Sequence, residues 1–357
     1  MSRSAPLPSP RAHLAASLSL FDALAGAAGG AQRFPGAEAW RALVARPRAL
    51  PASVPPSMNG MKCDGYLTRS DAGPAWGFAC NDRFEGRAFW GIARRLADAL
   101  PGDYAIDEAI ALRDALATGS GLTISVGFDA PGQPPRLKLY IQESSWGTGV
   151  GTVGALRALG SEAVGAVIPD TLPDDLTAGV VTVTLLADGS RRCKLYFGES
   201  DLQALALQMA AALPEQRQEL QRLAETMAAT SPSAPCFYYA TVRLGRDVRV
   251  AVNKIYEHER LGFGANRGAW GDAWGEVERL FRAAGRGIEP IVALREKLAT
   301  LLLVPTATAV ERRGQSADVY LAAWPGGGSL RLAEDLSGVR GRGGHEERRE
   351  THPGASH

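Results

Sequence analysis

Two stretches, Arg136-Leu-Lys-Leu-Tyr-Ile-Gln-Glu-Ser144 and Arg192-Cys-Lys-Leu-Tyr-Phe-Gly-Glu-Ser200, repeat one phrase. Side chains alternate strictly along both, so each reads as a β-strand with two unlike faces. In the first, Lys138, Tyr140 and Gln142 share one face, with Leu137, Leu139 and Ile141 on the other. In the second, Arg192, Lys194 and Tyr196 oppose Cys193, Leu195 and Phe197. A sheet with one covered face normally turns the other to bulk water. Lysine beside tyrosine, repeated, points instead to an enclosed polar lumen.

The spacing makes this an internal repeat. Lys138 and Lys194 are 56 residues apart, as are Tyr140 and Tyr196, a period typical of repeated supersecondary units. Each of the two strands is preceded by a partner: Leu122–Phe128 before the first, and Val180–Leu186 with an Asp188-Gly189 turn before the second. Thr123, Ser125, Thr182 and Thr184 continue the polar face on those partners. Three further hairpins fit Lys62–Thr68 with Trp76–Cys80, Phe237–Leu244 with Val248–Asn253, and Thr306–Val310 with Asp318–Trp324. Helical patterns fall at about 14–27, 37–44, 85–100, 106–117, 150–164, 200–213, 214–229, 271–284 and 288–303. The expected fold class is α/β: a single closed antiparallel ten-stranded barrel of repeated helix–strand–strand–helix units, helices outside. A (β/α)₈ barrel would alternate single strands with single helices. Ten strands close wider than the eight whose side chains merely fill the interior.

In the fourth hairpin, Val248, Val250 and Val252 take the covered face. Arg249, Ala251 and Asn253 then face inward, with Tyr239, Thr241 and Arg243. Small Ala251 and polar Asn253 stand where earlier repeats have Lys and Tyr, which suggests a second, less charged end of the chamber, with Tyr239 beside it. Tyr320 takes the equivalent inward place in the fifth hairpin.

The chain has 357 residues and a formal net charge of +1, which argues against nucleic acid as the main partner. Residues 326–357 form a Gly/Arg-rich tail, and Gly338–Gly344 hints at RNA binding, but acidic residues dilute it. The expected organisation is a disordered start over 1–13, a barrel domain over 14–325 and a disordered tail. Cys63, Cys80, Cys193 and Cys236 form no C-x-x-C pair and read as reduced core residues of a cytoplasmic protein. The five histidines form no ligand pattern. No segment has the roughly 20 apolar residues that span a bilayer, so no membrane partner is expected. Arg3 and Arg11 ahead of an apolar run loosely imitate a secretory signal, but Asp22 interrupts it, and Leu14, Leu18, Phe21 and Leu24 share a helical face.

On Lys138-x-Tyr140 followed by Arg192-x-Lys194-x-Tyr196, the chain resembles the ABBA or PT-barrel aromatic prenyltransferases over roughly residues 37–325. The indole and tryptophan enzymes are most similar, the cyanobactin peptide enzymes next. The resemblance implies that Lys138, Arg192 and Lys194 hold an allylic diphosphate while Tyr140, Tyr196 and Tyr320 shield the carbocation. It also implies that Asp64 takes the ring proton. The family usually carries an arginine on the second strand of the first hairpin, and Ala75-Trp-Gly-Phe-Ala79 has none. Either another cation such as Arg249 substitutes, or the chamber has another job: binding an isoprenoid or aromatic ligand without turnover. No Asp-rich metal motif is present in the sequence, which fits the family's metal-independent branch, with no cofactor required and magnesium dependence open. Expected partners are an allylic diphosphate and an aromatic small molecule, indole or tryptophan, or alternatively a peptide side chain.

Overall fold

The computed structural model describes residues 10–27, 36–44, 63–70, 73–80, 86–116, 123–129, 135–142, 151–232, 237–256, 267–311 and 315–324. The tail expected to be disordered lies outside these residues, as do the first nine.

The strands are β1 (Cys63–Ser70), β2 (Gly73–Cys80), β3 (Thr123–Asp129), β4 (Arg136–Gln142), β5 (Val180–Leu185), β6 (Arg191–Glu199), β7 (Phe237–Arg243), β8 (Arg249–Ile255), β9 (Leu302–Glu311) and β10 (Ser316–Trp324). They form one curled antiparallel sheet in the order β1-β10-β9-β8-β7-β6-β5-β4-β3-β2, and β1 is hydrogen-bonded to β2 as well as to β10. Neighbours in sequence are neighbours in space, as short hairpins require. The β5–β6 hairpin turns on the Asp188-Gly189 pair. Gly189 takes a φ of 79°, which a glycine reaches without strain. The Asp188 carboxylate accepts from the Ser190 amide at 3.0 Å.

Helices α1 (Pro10–Ala27) and α2 (Ala37–Val44) precede the first hairpin, and α3 (Gly86–Asp98), α4 (Ile106–Leu116), α5 (Thr152–Val164), α6 (Leu202–Ala212), α7 (Arg217–Thr230), α8 (Arg267–Ala283) and α9 (Glu289–Lys297) lie between the hairpins. α1 packs on β10, β1 and β2, α6 on β6 and β7, α7 on β8 and β9, and α8 on β9 and β10. The face they cover is the apolar one. Leu137, Leu139, Ile141, Cys193, Leu195, Phe197, Val242, Val252 and Val319 are buried there in one core. Phe78 of β2 meets Phe21 of α1 edge-on at 5.2 Å and Trp40 of α2 at 6.4 Å. Each such side chain withdrawn from water contributes about 1.5–3 kcal/mol, and together they fix which face of every strand turns inward.

Several boundaries differ from the sequence reading. Helix α1 begins at Pro10 rather than 14, since proline suits a first helical position, where no amide partner is lost. Helix α9 stops at Lys297, and β9 begins at Leu302, where the sequence favours helix to 303. The run Leu301–Val304 is apolar throughout, and such a run fits a buried helix or a buried strand equally well. Pro305 is accommodated because the β9–β10 register shifts between Tyr320 and Leu321, and Leu321 is its partner. The cysteines, distant in sequence, also include one spatial pair: Cys63 and Cys80 are Cα partners across β1 and β2. Cys193 is a free, buried thiol of the core.

Candidate functional site

Because β4 and β6 turn their leucines outward, the polar halves of the repeated phrase turn inward. The β4–β5–β6 register sets Lys138 beside Thr184 and Arg192, and Tyr140 beside Thr182 and Lys194. The row continues through Arg243 of β7 to Arg249 of β8. The cations gather at the hairpin-turn end of the sheet: Arg136 opens β4, Arg192 lies near the start of β6, Arg243 closes β7 and Arg249 opens β8.

These guanidinium groups feel one another. Burial lowers the Arg243 pKa, and the charges of Arg249, Arg192 and Arg136 push the same way, while the Glu311 carboxylate opposes them. Glu311, at the end of β9, faces Ala251 and Ser316 on the same inner row. Arg136 and Arg243 thus join Lys138, Arg192, Lys194 and Arg249 in one cationic zone. Sequence alternation already gives Arg243 an inward direction. What it lacks is a signal that the β7 and β8 ends converge on β4 and β6.

Beyond the cations runs an aromatic wall. The Lys194 ammonium lies 5.4 Å from the Tyr196 ring centre. Tyr196 is 6.4 Å from Tyr140 and 6.1 Å from Tyr239, and Tyr239 is 5.0 Å from Phe237. Tyr320, on β10, faces Tyr66 of β1 and Ala307 of β9 in register. Burial raises its pKa well above 10, and Asp318, Tyr140, Tyr196 and Glu311 add to the rise. The three tyrosines named for shielding therefore share one electrostatic neighbourhood. Tyr239 is pushed up to about 12, by burial first and Tyr196 second.

The hydroxyls of Thr182 and Thr241 are buried with no hydrogen-bond partner among the described residues. Their register partners are Tyr140 and Lys194 for Thr182, and Tyr196 and Ala251 for Thr241. An orphaned buried hydroxyl costs free energy until something bonds it, so both mark places where a polar ligand atom would be welcome. Asn253 is paired with Tyr239 across β7 and β8, and its Nδ2 donates to the Tyr239 carbonyl at 3.2 Å. Asp64 takes an alternate position of β1, opposite Ala79, with helix-covered Gly65 and Leu67 at the intervening ones. Its side chain lies outside the described ones. Among the described residues no group of three or more His, Cys, Asp or Glu could hold a metal ion, and no helix is long and apolar enough to cross a membrane.

No family model matches this chain, and no curated protein matches it. Solved structures do. 5-Dimethylallyltryptophan synthase from Streptomyces coelicolor aligns with a TM-score of 0.58 at 15% identity, covering 89% of this chain and 98% of that one. Prenyltransferase PriB, in a binary complex with product diphosphate, aligns with a TM-score of 0.62 at 14% identity, covering 87% and 95%. AnaPT from Neosartorya fischeri aligns at 0.57 and 12% identity, covering 91% and 97%. Over 87–91% of its length, the chain shares the fold of these prenyltransferase structures.

Proposed function

We propose that this chain is an aromatic prenyltransferase. It moves a dimethylallyl group from an allylic diphosphate to an electron-rich aromatic acceptor, indole or tryptophan. In this reading the curled sheet acts as a closed ten-stranded barrel whose lumen is the reaction chamber. The observation that carries it is the ordered inner face: guanidinium and ammonium groups at the turn end, then the tyrosine wall. Two neighbours in fold support the ligand classes. PriB is described with L-tryptophan and dimethylallyl thiolodiphosphate, and 5-dimethylallyltryptophan synthase with DMASPP and Trp.

Lys138, Arg192, Lys194 and Arg249, joined by Arg136 and Arg243, hold the diphosphate. As the allylic C–O bond breaks, its electron pair leaves with the diphosphate, and fixed cations stabilise that growing charge. The faces of Tyr140, Tyr196 and Tyr320 attract the allylic cation and keep water from it. A ring carbon of the acceptor, held by Tyr239 and Asn253, forms the new C–C bond, and the ring then gives its proton to Asp64. The arginine absent from β2 favours a second reading, a barrel that binds such ligands without turnover. Arg136 and Arg243 offset that absence.

A mass-spectrometric screen of prenyl diphosphates against tryptophan, indoles, tyrosine and short peptides tests the proposal. Prenylated product with matching release of diphosphate is expected. Tight binding of both substrates without product would leave only the binding barrel.

A further inference from the structure

The first hairpin brings together two cysteines that no sequence motif connects. Cys63 opens β1, Cys80 closes β2, and the two are Cα partners. What that partnership permits depends on its kind. Opposite residues of an antiparallel pair alternate between two kinds. One exchanges both backbone hydrogen bonds, with Cα atoms about 5.5 Å apart; the other exchanges none, at about 4.5 Å. Pro74 settles the parity. It has no N–H to give, so its pairing with Arg69 is of the second kind. The register runs unbroken from Ser70 with Gly73 to Cys63 with Cys80, so every second pair repeats that kind: Leu67 with Trp76, Gly65 with Phe78, and Cys63 with Cys80. The cysteines therefore stand at the closer separation, inside the roughly 4.4–6.8 Å that a disulfide spans.

Alternation sets Cys63 on the face of β1 that carries Gly65 and Leu67, and Cys80 on the face of β2 that carries Trp76 and Phe78. All four of those neighbours are buried on the helix-covered side, so a bond there lies behind the sheet and leaves the lumen clear. Among the described residues β1 pairs with β10 from Gly65 to Arg69, so Cys63 extends past that ladder and meets β2. Cys193 is the contrast. Its partner on β5 is Val183, and burial pushes its thiol up to about 12, which starves it of the reactive thiolate.

We propose that Cys63 and Cys80 form a redox-sensitive pair, closing into a cross-strand disulfide when a low-molecular-weight disulfide is present as oxidant. The thiolate of one cysteine attacks a sulfur of that oxidant and expels one small thiolate. The other cysteine, as thiolate, attacks the protein sulfur of the mixed disulfide, forms the Cys63–Cys80 bond and expels the second. The pair gives up two electrons and two protons, and the oxidant takes them up and leaves as two thiols. The bond staples to β2 the end of β1 that carries Asp64, and it restricts the unfolded chain.

The test is to incubate the native protein with oxidised glutathione, alkylate the remaining thiols and map tryptic peptides by mass. Arg69 lies between the two cysteines, so they fall in separate peptides. Expected is one crosslinked pair holding Cys63 and Cys80, lighter than the two reduced peptides together by about 2 Da for the hydrogens lost, with Cys193 alkylated only after unfolding. The oxidised protein should also unfold at a higher denaturant concentration than the reduced one, and dithiothreitol should abolish the difference. Cys63→Ser and Cys80→Ser should each lose both the crosslink and that difference. Should either variant fail to fold, the wild-type comparison decides alone. Free thiols at both positions after oxidation would overturn the pairing. So would glutathione retained on either cysteine, a crosslink from either to Cys236, or a Cys63–Cys80 link that forms only in denaturant.

Discussion

Lys194 lies over the ring of Tyr196, two positions along the same inner face. A ring that attracts an ammonium can attract a developing carbocation by the same quadrupole, provided it stays a neutral phenol. A phenolate would capture the cation covalently. Burial serves that need, holding Tyr320 well above 10 and Tyr239 at about 12. An ultraviolet-difference titration should therefore find tyrosines that ionise later than the free residue does. The linked stability has a definite sign. The unfolded chain releases these protons near pH 10 while the folded chain keeps them, so stability is intact below about 10 and falls as pH climbs towards about 12. A titration in which every tyrosine ionises near 10 would contradict a buried wall. Asp64→Asn keeps shape but removes basicity, so product formation should slow by roughly 10²–10⁴-fold with donor affinity retained. A full rate would assign the proton to another acceptor.

Between elements, the least expected feature lies outside the sheet. Lys254 of β8 turns to the helix side, with 0% of its side chain exposed, and pairs at 2.9 Å with Glu276 of α8, exposed 1%. Lys254 also donates to the Ser231 hydroxyl at 3.0 Å, at the C-terminal cap of α7. Tyr256, just past β8, donates to Glu276 at 2.9 Å. One network thus ties α7 and α8 to β8. Removing one partner strands a buried charge, so Lys254→Met alone should destabilise by about 3–5 kcal/mol in a denaturant melt, and pairing it with Glu276→Leu should recover much of the loss. Equal losses in the single and double variants would deny that coupling. The contrast with the inner face explains what the sequence made legible. Lys138 and Lys194 stand out because strict alternation sets them against leucines, and that pattern needs no partner to be read. Lys254 follows Val250 and Val252 on an apolar face, and its justification is Glu276, twenty-two positions on in another element. The α9–β9 boundary failed for a related reason, because an unbroken apolar run carries no period to read.

Across the whole molecule the inner face is graded, with guanidinium groups at the turn end, phenols in the middle and Phe237 at the far mouth; Asp64 holds a backbone position on β1 towards that same end. The gradient follows from hairpins repeated in one orientation, each opening its second strand at the turn end. The order of hairpins was therefore legible from the 56-residue repeat. The convergence of Arg136, Arg192, Arg243 and Arg249 was not, because it depends on how far each strand is sheared against the next. The central claim is that this face holds a diphosphate rather than merely meeting solvent. Calorimetric titration of dimethylallyl diphosphate into the wild-type protein and Lys194→Ala tests it most directly. A charged hydrogen bond contributes about 1.5–3 kcal/mol, so the account predicts donor affinity about ten- to a hundredfold weaker in the variant. Equal affinity in the two proteins would contradict it.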